Sequence, residues 1–182
     1  ENALSEIRGL TCTAPEFFEP RMRELLRDAG VLLALVPAIP RAHVSGVARW
    51  LNPTRPLIQL SLYGKTNDKF WFTFFHEAAH ILLHADSKEA KKSIFLDDPN
   101  ANHSPDPREQ EANQWAGNVL IPQAYSRALG TLRTKEAVRA FATSIGIHPG
   151  IVVGRLQHDH LIEPSWMNDL KQSFRFKEAA DE

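Results

Sequence analysis

Cysteine is nearly missing from this 182-residue chain. Cys12 stands alone, so no internal disulfide can form, and a reducing compartment is expected. Long hydrophobic runs are missing too: the longest uninterrupted one is Val31 to Val36. That is far short of the roughly 18–20 residues a membrane-spanning helix needs. There is no excess of one charge, because 21 Lys and Arg face 22 Asp and Glu for a formal net charge of −1. The global electrostatic case for a nucleic-acid binder therefore falls away. No repeat and no low-complexity tract is present, and the first residues lack the basic-then-apolar layout of a secretion signal. The chain opens on Glu1 rather than Met, so the expectation is an excised piece of a longer, cytoplasmic protein. With 43% hydrophobic and 24% charged residues, the composition fits one globular domain with room for a small appendage.

Helical and strand periods organise what is there. Phe18, Met22, Leu25, Leu26 and Ala29 recur at helical spacing across residues 15–30, with Gly30 as the stop. Residues 31–36 read as a short buried strand ended by Pro37, and residues 43–51 and 57–63 as two more, parted by the Asn52-Pro53 breaker. Asn67 or Asp68 is expected to cap a helix running to His84. Residues 88–107 are polar and proline-containing and read as a surface loop. Asp106-Pro107 then opens a second strong helix that stops at Ile121-Pro122. From Thr134 onward, two or three short helices and a charged tail are expected. One helix, a small three-stranded sheet and then several helices make an α+β pattern.

Chemistry concentrates in His76-Glu77-Ala78-Ala79-His80. The segment 70–84 is almost wholly apolar, and its polar members are Thr73, His76, Glu77, His80 and His84. They fall at i, i+3, i+4, i+7 and i+11, one stripe down a helix. Unpaired buried polar groups cost free energy, so a single polar stripe on a buried helix calls for a partner. A metal ion is the natural one. His76 and His80 are one turn apart, about 6 Å of rise, so both imidazoles can converge on one ion. Glu77 is poorly directed for ligation but well placed to take a proton from water activated there. The competing view makes both histidines core residues bonded to backbone, with Glu77 in an ion pair.

A catalytic zinc ordinarily takes a third protein ligand. His84 lies about 12 Å along the helix from His76, too far to share one ion, and reads as an outer partner or a cation at the helix end. Asp86 would fit a pattern with a turning Gly at position 83, but Leu83 stands there. The helix beginning at Asp106 is the better supply. Ala112, Trp115, Ala116 and Val119 define its inward face; at 100° per residue Glu109 falls about 45° from that face and Glu111 about 110° away. Glu109 is therefore the expected third ligand, with Glu111 in reserve and Asn113 placed to hydrogen-bond a ligand histidine. The same letters, Asp106-Pro107-Arg108-Glu109, also spell a capping box in which Glu109 merely satisfies the helix start.

The string 72–84, Phe-Thr-Phe-Phe-His-Glu-Ala-Ala-His-Ile-Leu-Leu-His, followed by Glu109-x-Glu111-Ala112-Asn113-x-Trp115-Ala116 and Leu120-Ile121-Pro122, resembles the ImmA/IrrE family of metallo-endopeptidases. The resemblance runs over residues 18–122 and extends less surely into the C-terminal helices. Two positions depart from the family pattern: Ala79 where Gly is usual, and Trp115 where Phe is usual. The resemblance implies a zincin-like core with zinc on His76, His80 and Glu109 and with Glu77 as base. It implies a bacterial, cytoplasmic, gluzincin-like protease acting on a helix-turn-helix repressor or similar regulator in stress response. It also implies an alternative, a non-proteolytic regulatory domain of the kind fused behind an XRE-type helix-turn-helix in toxin–antitoxin regulators.

The domain expectation is a metallopeptidase unit over residues 15–130, a helical extension over 131–170 packed on it, and a tail over 171–182. Ala142, Gly146 and Val152 have helix-turn-helix spacing. Against DNA binding, Gly150 and Gly154 weaken the second helix, Arg155 occupies an expected core position, and residues 131–182 balance seven Lys or Arg with seven Asp or Glu. Packing of Ile145, Ile147, Val152 and Leu156 on the core is the simpler use. His103, Tyr63 and Tyr125 are candidates to stabilise an oxyanion. An extended substrate is expected along a strand edge within residues 57–63.

Overall fold

The computed structural model describes residues 2–37, 44–62, 66–84 and 106–175, and the backbone of 95–97. Its N-terminal helices are α1 (Asn2–Gly9) and α2 (Pro15–Asp28). Phe18, Met22 and Leu26 form the buried face of α2, and Gly30 at φ +77° turns the chain out of it. Four strands follow among the described residues: β1 (Leu32–Val36), β2 (Gly46–Asn52), β3 (Arg55–Ser61) and β4 (Phe95–Asp97). They line up as β1-β3-β2-β4. The three expected strands are present, and β4 adds a fourth inside the segment read as loop.

Strand order changes two expectations. β1 is an edge strand, half-buried rather than buried, with Leu32 exposed. β3 is central: Leu57 to Leu60 pair in parallel with Leu32 to Leu35 and antiparallel with Arg49 to Gly46. Its main-chain groups are occupied on both sides, so β3 offers no edge to a substrate strand. The breaker between β2 and β3 is a tight turn in which the Asn52 carboxamide oxygen accepts from the Thr54 amide at 3.1 Å.

The central helix α3 (Asn67–Leu83) is buried on nearly every side, as an all-round apolar sequence requires. Thr66 is its N-cap, and it makes no side-chain cap bond. Asn67 and Asp68 are instead the first helical residues, because the Asn67 oxygen is taken by the Asp68 and Gln172 amides. Trp71, Phe74 and Phe75 are fully buried, and the Phe18 ring packs at a tilt on Trp71 with centroids 4.9 Å apart. Across α3 lies α4 (Pro107–Leu120), whose start is capped as expected: the Asp106 carboxylate accepts from the Arg108 amide at 2.9 Å. Ala112 and Ala116 are buried at the crossing, and their small side chains allow close approach of the two helices.

The C-terminal part comprises α5 (Ser126–Leu129), α6 (Lys135–Ile145) and α7 (Pro149–His158), with a short 3-10 turn at Asn168–Leu170. α6 and α7 meet at 112° through Gly146 at φ +68°, a helix-turn-helix angle. Ile145, Ile147, Val152 and Leu156 are buried, and α7 packs on α3. Gly150 and Gly154 are not weak points here. A Cβ at Gly150 would lie 2.6 Å from the Asn67 oxygen, and one at Gly154 would lie 2.6 Å from the Asp68 side chain. Both glycines are what lets α7 seat against the start of α3. No single described helix is long and apolar enough to cross a membrane.

Candidate metal centre

The polar stripe of α3 is buried along its whole length, with Thr73, His76, Glu77, His80 and His84 all under 10% exposed. α4 brings Glu109 over it. Glu109 Oε2 lies 3.1 Å from His76 Nε2, Glu109 Oε1 lies 3.3 Å from His80 Nε2, and the two ring nitrogens are 3.0 Å apart. Glu109 thus turns to the histidines rather than back to its own helix start, and the cap is left to Asp106. Among the described residues these three form the one group of His, Cys, Asp or Glu whose donor atoms converge. Cys12 is exposed and lies outside it.

Hydrogen bonds around the cluster orient its rings. The Asn113 side-chain oxygen is 2.9 Å from His76 Nδ1 and can only accept, so Nδ1 is the donor of that bond. On the other side, the Glu111 carboxylate is 3.1 Å from His84 Nε2, and His84 Nδ1 is 3.1 Å from His80 Nδ1. A carboxylate accepts only, so His84 Nε2 is the donor. Burial holds the His80 imidazole neutral by lowering its pKa, against the pull of Glu109. Burial also opposes the charge on Glu109, but its bonds to His76 and His80 prevail and hold the carboxyl down at about 2.

Two imidazole nitrogens and one carboxylate therefore converge within 3.0 to 3.3 Å of one another in a buried setting. Such a set of nitrogen and carboxylate donors is what a divalent cation takes as ligands. The spacing suits one: tetrahedral donors about 2.1 Å from a zinc ion are about 3.4 Å apart, close to the observed 3.0 to 3.3 Å. The residues present fit a divalent metal.

Glu77 follows His76 on α3 and is fully buried. Strand β2 begins directly against it. A Cβ on Gly46 would lie 2.5 Å from Glu77 Oε1 and 2.5 Å from the Thr73 methyl. Gly46 is the residue that sequence reasoning missed, although an isolated glycine in a strand is a recognised sign of close approach. His84 and Glu111, expected as an outer partner and a reserve ligand, are joined to each other and sit behind His80. Tyr125 packs on the Phe141 ring instead, at 5.8 Å. Tyr63, Asp86 and His103 lie outside the described residues.

Comparison with known families agrees with this geometry. Residues 39–157, well over half of the chain, match the model of the M78 peptidases described as the IrrE N-terminal-like domain. No curated protein matches the chain at a significant level. The match spans the HExxH helix, the carboxylate-bearing helix α4 and nearly all of α7. This chain belongs to the ImmA/IrrE family and carries its metallopeptidase-type domain.

Proposed function

We propose that the protein is a zinc-dependent endopeptidase whose ion is held by His76, His80 and Glu109. The observation that carries this reading is the convergence of the His76, His80 and Glu109 donor atoms beside a buried glutamate. A zinc ion bound there supplies Lewis acidity, polarising the scissile carbonyl and acidifying the attacking water. The chain's own groups do the rest. Glu77 takes the proton from the water and returns it to the leaving amine. Asn113 fixes the ring of His76, and the Glu111–His84 pair fixes that of His80.

The substrate in this reading is a regulatory protein, a helix-turn-helix repressor or similar partner in the cytoplasm. Its support is the family, together with the single cysteine. In this reading residues 15–130 form the peptidase unit and residues 131–170 brace it through the seat of α7 on α3, while Gln172 and Phe174, in the segment expected as a tail, are instead tied to the start of α3 and packed in the core. The test combines metal analysis with a cleavage assay on a denatured protein mixture. One zinc per chain is expected in both the native protein and Glu77→Gln, with cleavage lost in the variant. Near-native cleavage by Glu77→Gln, or a native chain that holds no zinc, refutes the reading.

A further inference from the structure

A cavity of about 530 Å³ lies between α3, α4 and α7. It exists because both flanking helices present glycine to it, Gly117 from α4 and Gly154 from α7. Gly154 is required by the contact with Asp68 already described. Gly117 is different: a Cβ there would meet only the flexible tip of Arg155, at 3.2 Å. Its absent side chain hollows the wall. Phe72 and Ile151 add apolar lining. At one end stands Asn113, the partner of His76 Nδ1, and the Phe72 ring is 6.3 Å from the His76 ring. The cavity therefore adjoins the candidate metal centre.

Two ion pairs within the fold line it. Arg155 pairs with Asp159 at 2.7 Å, and Lys171 pairs with Asp68 at 2.7 Å. Both pairs line the space without demanding a charged ligand. Apolar walls, a rim whose one charge outside these pairs is the cation of Lys69, and a volume within the usual range of ligand pockets suit an uncharged, apolar occupant.

We infer that this cavity is the subsite that selects the substrate residue beside the scissile bond, and that it takes a bulky apolar side chain. The inference rests on the zinc-peptidase reading. Transfer of a Leu or Phe side chain from water into such a cavity is worth roughly ten- to hundredfold in affinity.

The probes are acetohydroxamate, which needs only the metal, and the hydroxamates of leucine, phenylalanine and lysine. Each is titrated calorimetrically into the full, zinc-loaded chain. The leucine and phenylalanine compounds are expected to bind roughly ten- to hundredfold more tightly than acetohydroxamate, and the lysine compound to gain much less. Gly117→Leu projects a side chain into the cavity and obstructs it, so it should erase that gain and leave acetohydroxamate binding in place. Phe72→Ala enlarges the floor and should move the preference toward a tryptophan-sized side chain; it decides the matter if Gly117→Leu does not fold. Normal acetohydroxamate binding with no gain for apolar side chains, or a gain that Gly117→Leu preserves, overturns the subsite alone. A chain that takes up no zinc, or a zinc-loaded chain that ignores acetohydroxamate, overturns the peptidase reading and the subsite with it.

Discussion

Replacing Gly46 by alanine perturbs the proposed base without touching any proposed ligand. The new methyl would sit 2.5 Å from Glu77 Oε1, 2.5 Å from the Thr73 methyl and 2.8 Å from Glu77 Cγ. Ordinary contacts begin near 3.4 Å, so about 1 Å of displacement must be found. Glu77 is fully buried and cannot swing into solvent. Overpacking of this kind costs typically about 1–3 kcal/mol, and for a chain of this size each kcal/mol lowers Tm by roughly 2–4 °C. The sign is diagnostic. Gly46 does not have a positive φ, so in open space alanine would stabilise the strand by about 0.5–1 kcal/mol. A catalytic group misplaced by about 1 Å can lose roughly 100-fold in rate. Gly46→Ala is therefore expected to keep its zinc, melt lower and cleave roughly 100-fold more slowly, as read by metal analysis, thermal denaturation and kcat/KM. A Gly46→Ala protein that melts higher than the native chain and cleaves equally fast would refute the reasoning.

Three further outcomes follow from the same geometry. Glu111→Gln and His84→Phe should each weaken zinc binding roughly 10- to 100-fold in a competitive chelator titration, because the first removes the charge that holds His84 and the second removes the His84 ring that orients His80. Arg8, half-buried, donates to the Val119 and Leu120 carbonyls at 2.7 and 2.9 Å and so closes the end of α4. Arg8→Met should cost about 2 kcal/mol in a denaturant titration. Asp106→Ala removes the cap of α4 and should cost about 1 kcal/mol at neutral pH. The bonds from Arg108 lower the Asp106 pKa below its ordinary 3.8, so this stabilisation is full above about pH 4 and fades as pH falls through the lowered value. Melts of the two proteins should converge in acid.

The elements that were legible in the sequence are those whose cause is local. The polar stripe on α3 was visible because only a helical period places Thr73, His76, Glu77, His80 and His84 together. Glu109 was visible because it lies near the alanine face that α4 turns inward. Angle counting on one helix, however, does not say how the next helix crosses it. Glu111 lies well off that face, and it reaches the network only because His84, at the other helix's end, comes out to meet it at 3.1 Å. Strand order was hidden for a similar reason. Alternation in residues 57–61 describes a strand but not its neighbours, and the parallel partner that fills the second side of β3 comes from β1, before the hairpin.

Glycine shows the difference most sharply. Judged on its own, a helix carrying Gly150 and Gly154 forgoes about 1 kcal/mol at each relative to alanine, and that local penalty made α7 look weak. Its value lies in the neighbour. With Asn67 and Asp68 side chains where two methyl groups would otherwise stand, alanine at either position would push α7 off α3. Gly150, Ile151, Val152, Val153 and Leu156 of α7 are buried at that seat. Full burial of each large apolar side chain is worth about 1.5–3 kcal/mol, so the packing outweighs the propensity lost. The same logic applies to Gly46, where the neighbour is the proposed base itself. In each case the residue that leaves space is fixed by a side chain far away in sequence, and only the assembled fold reveals which one.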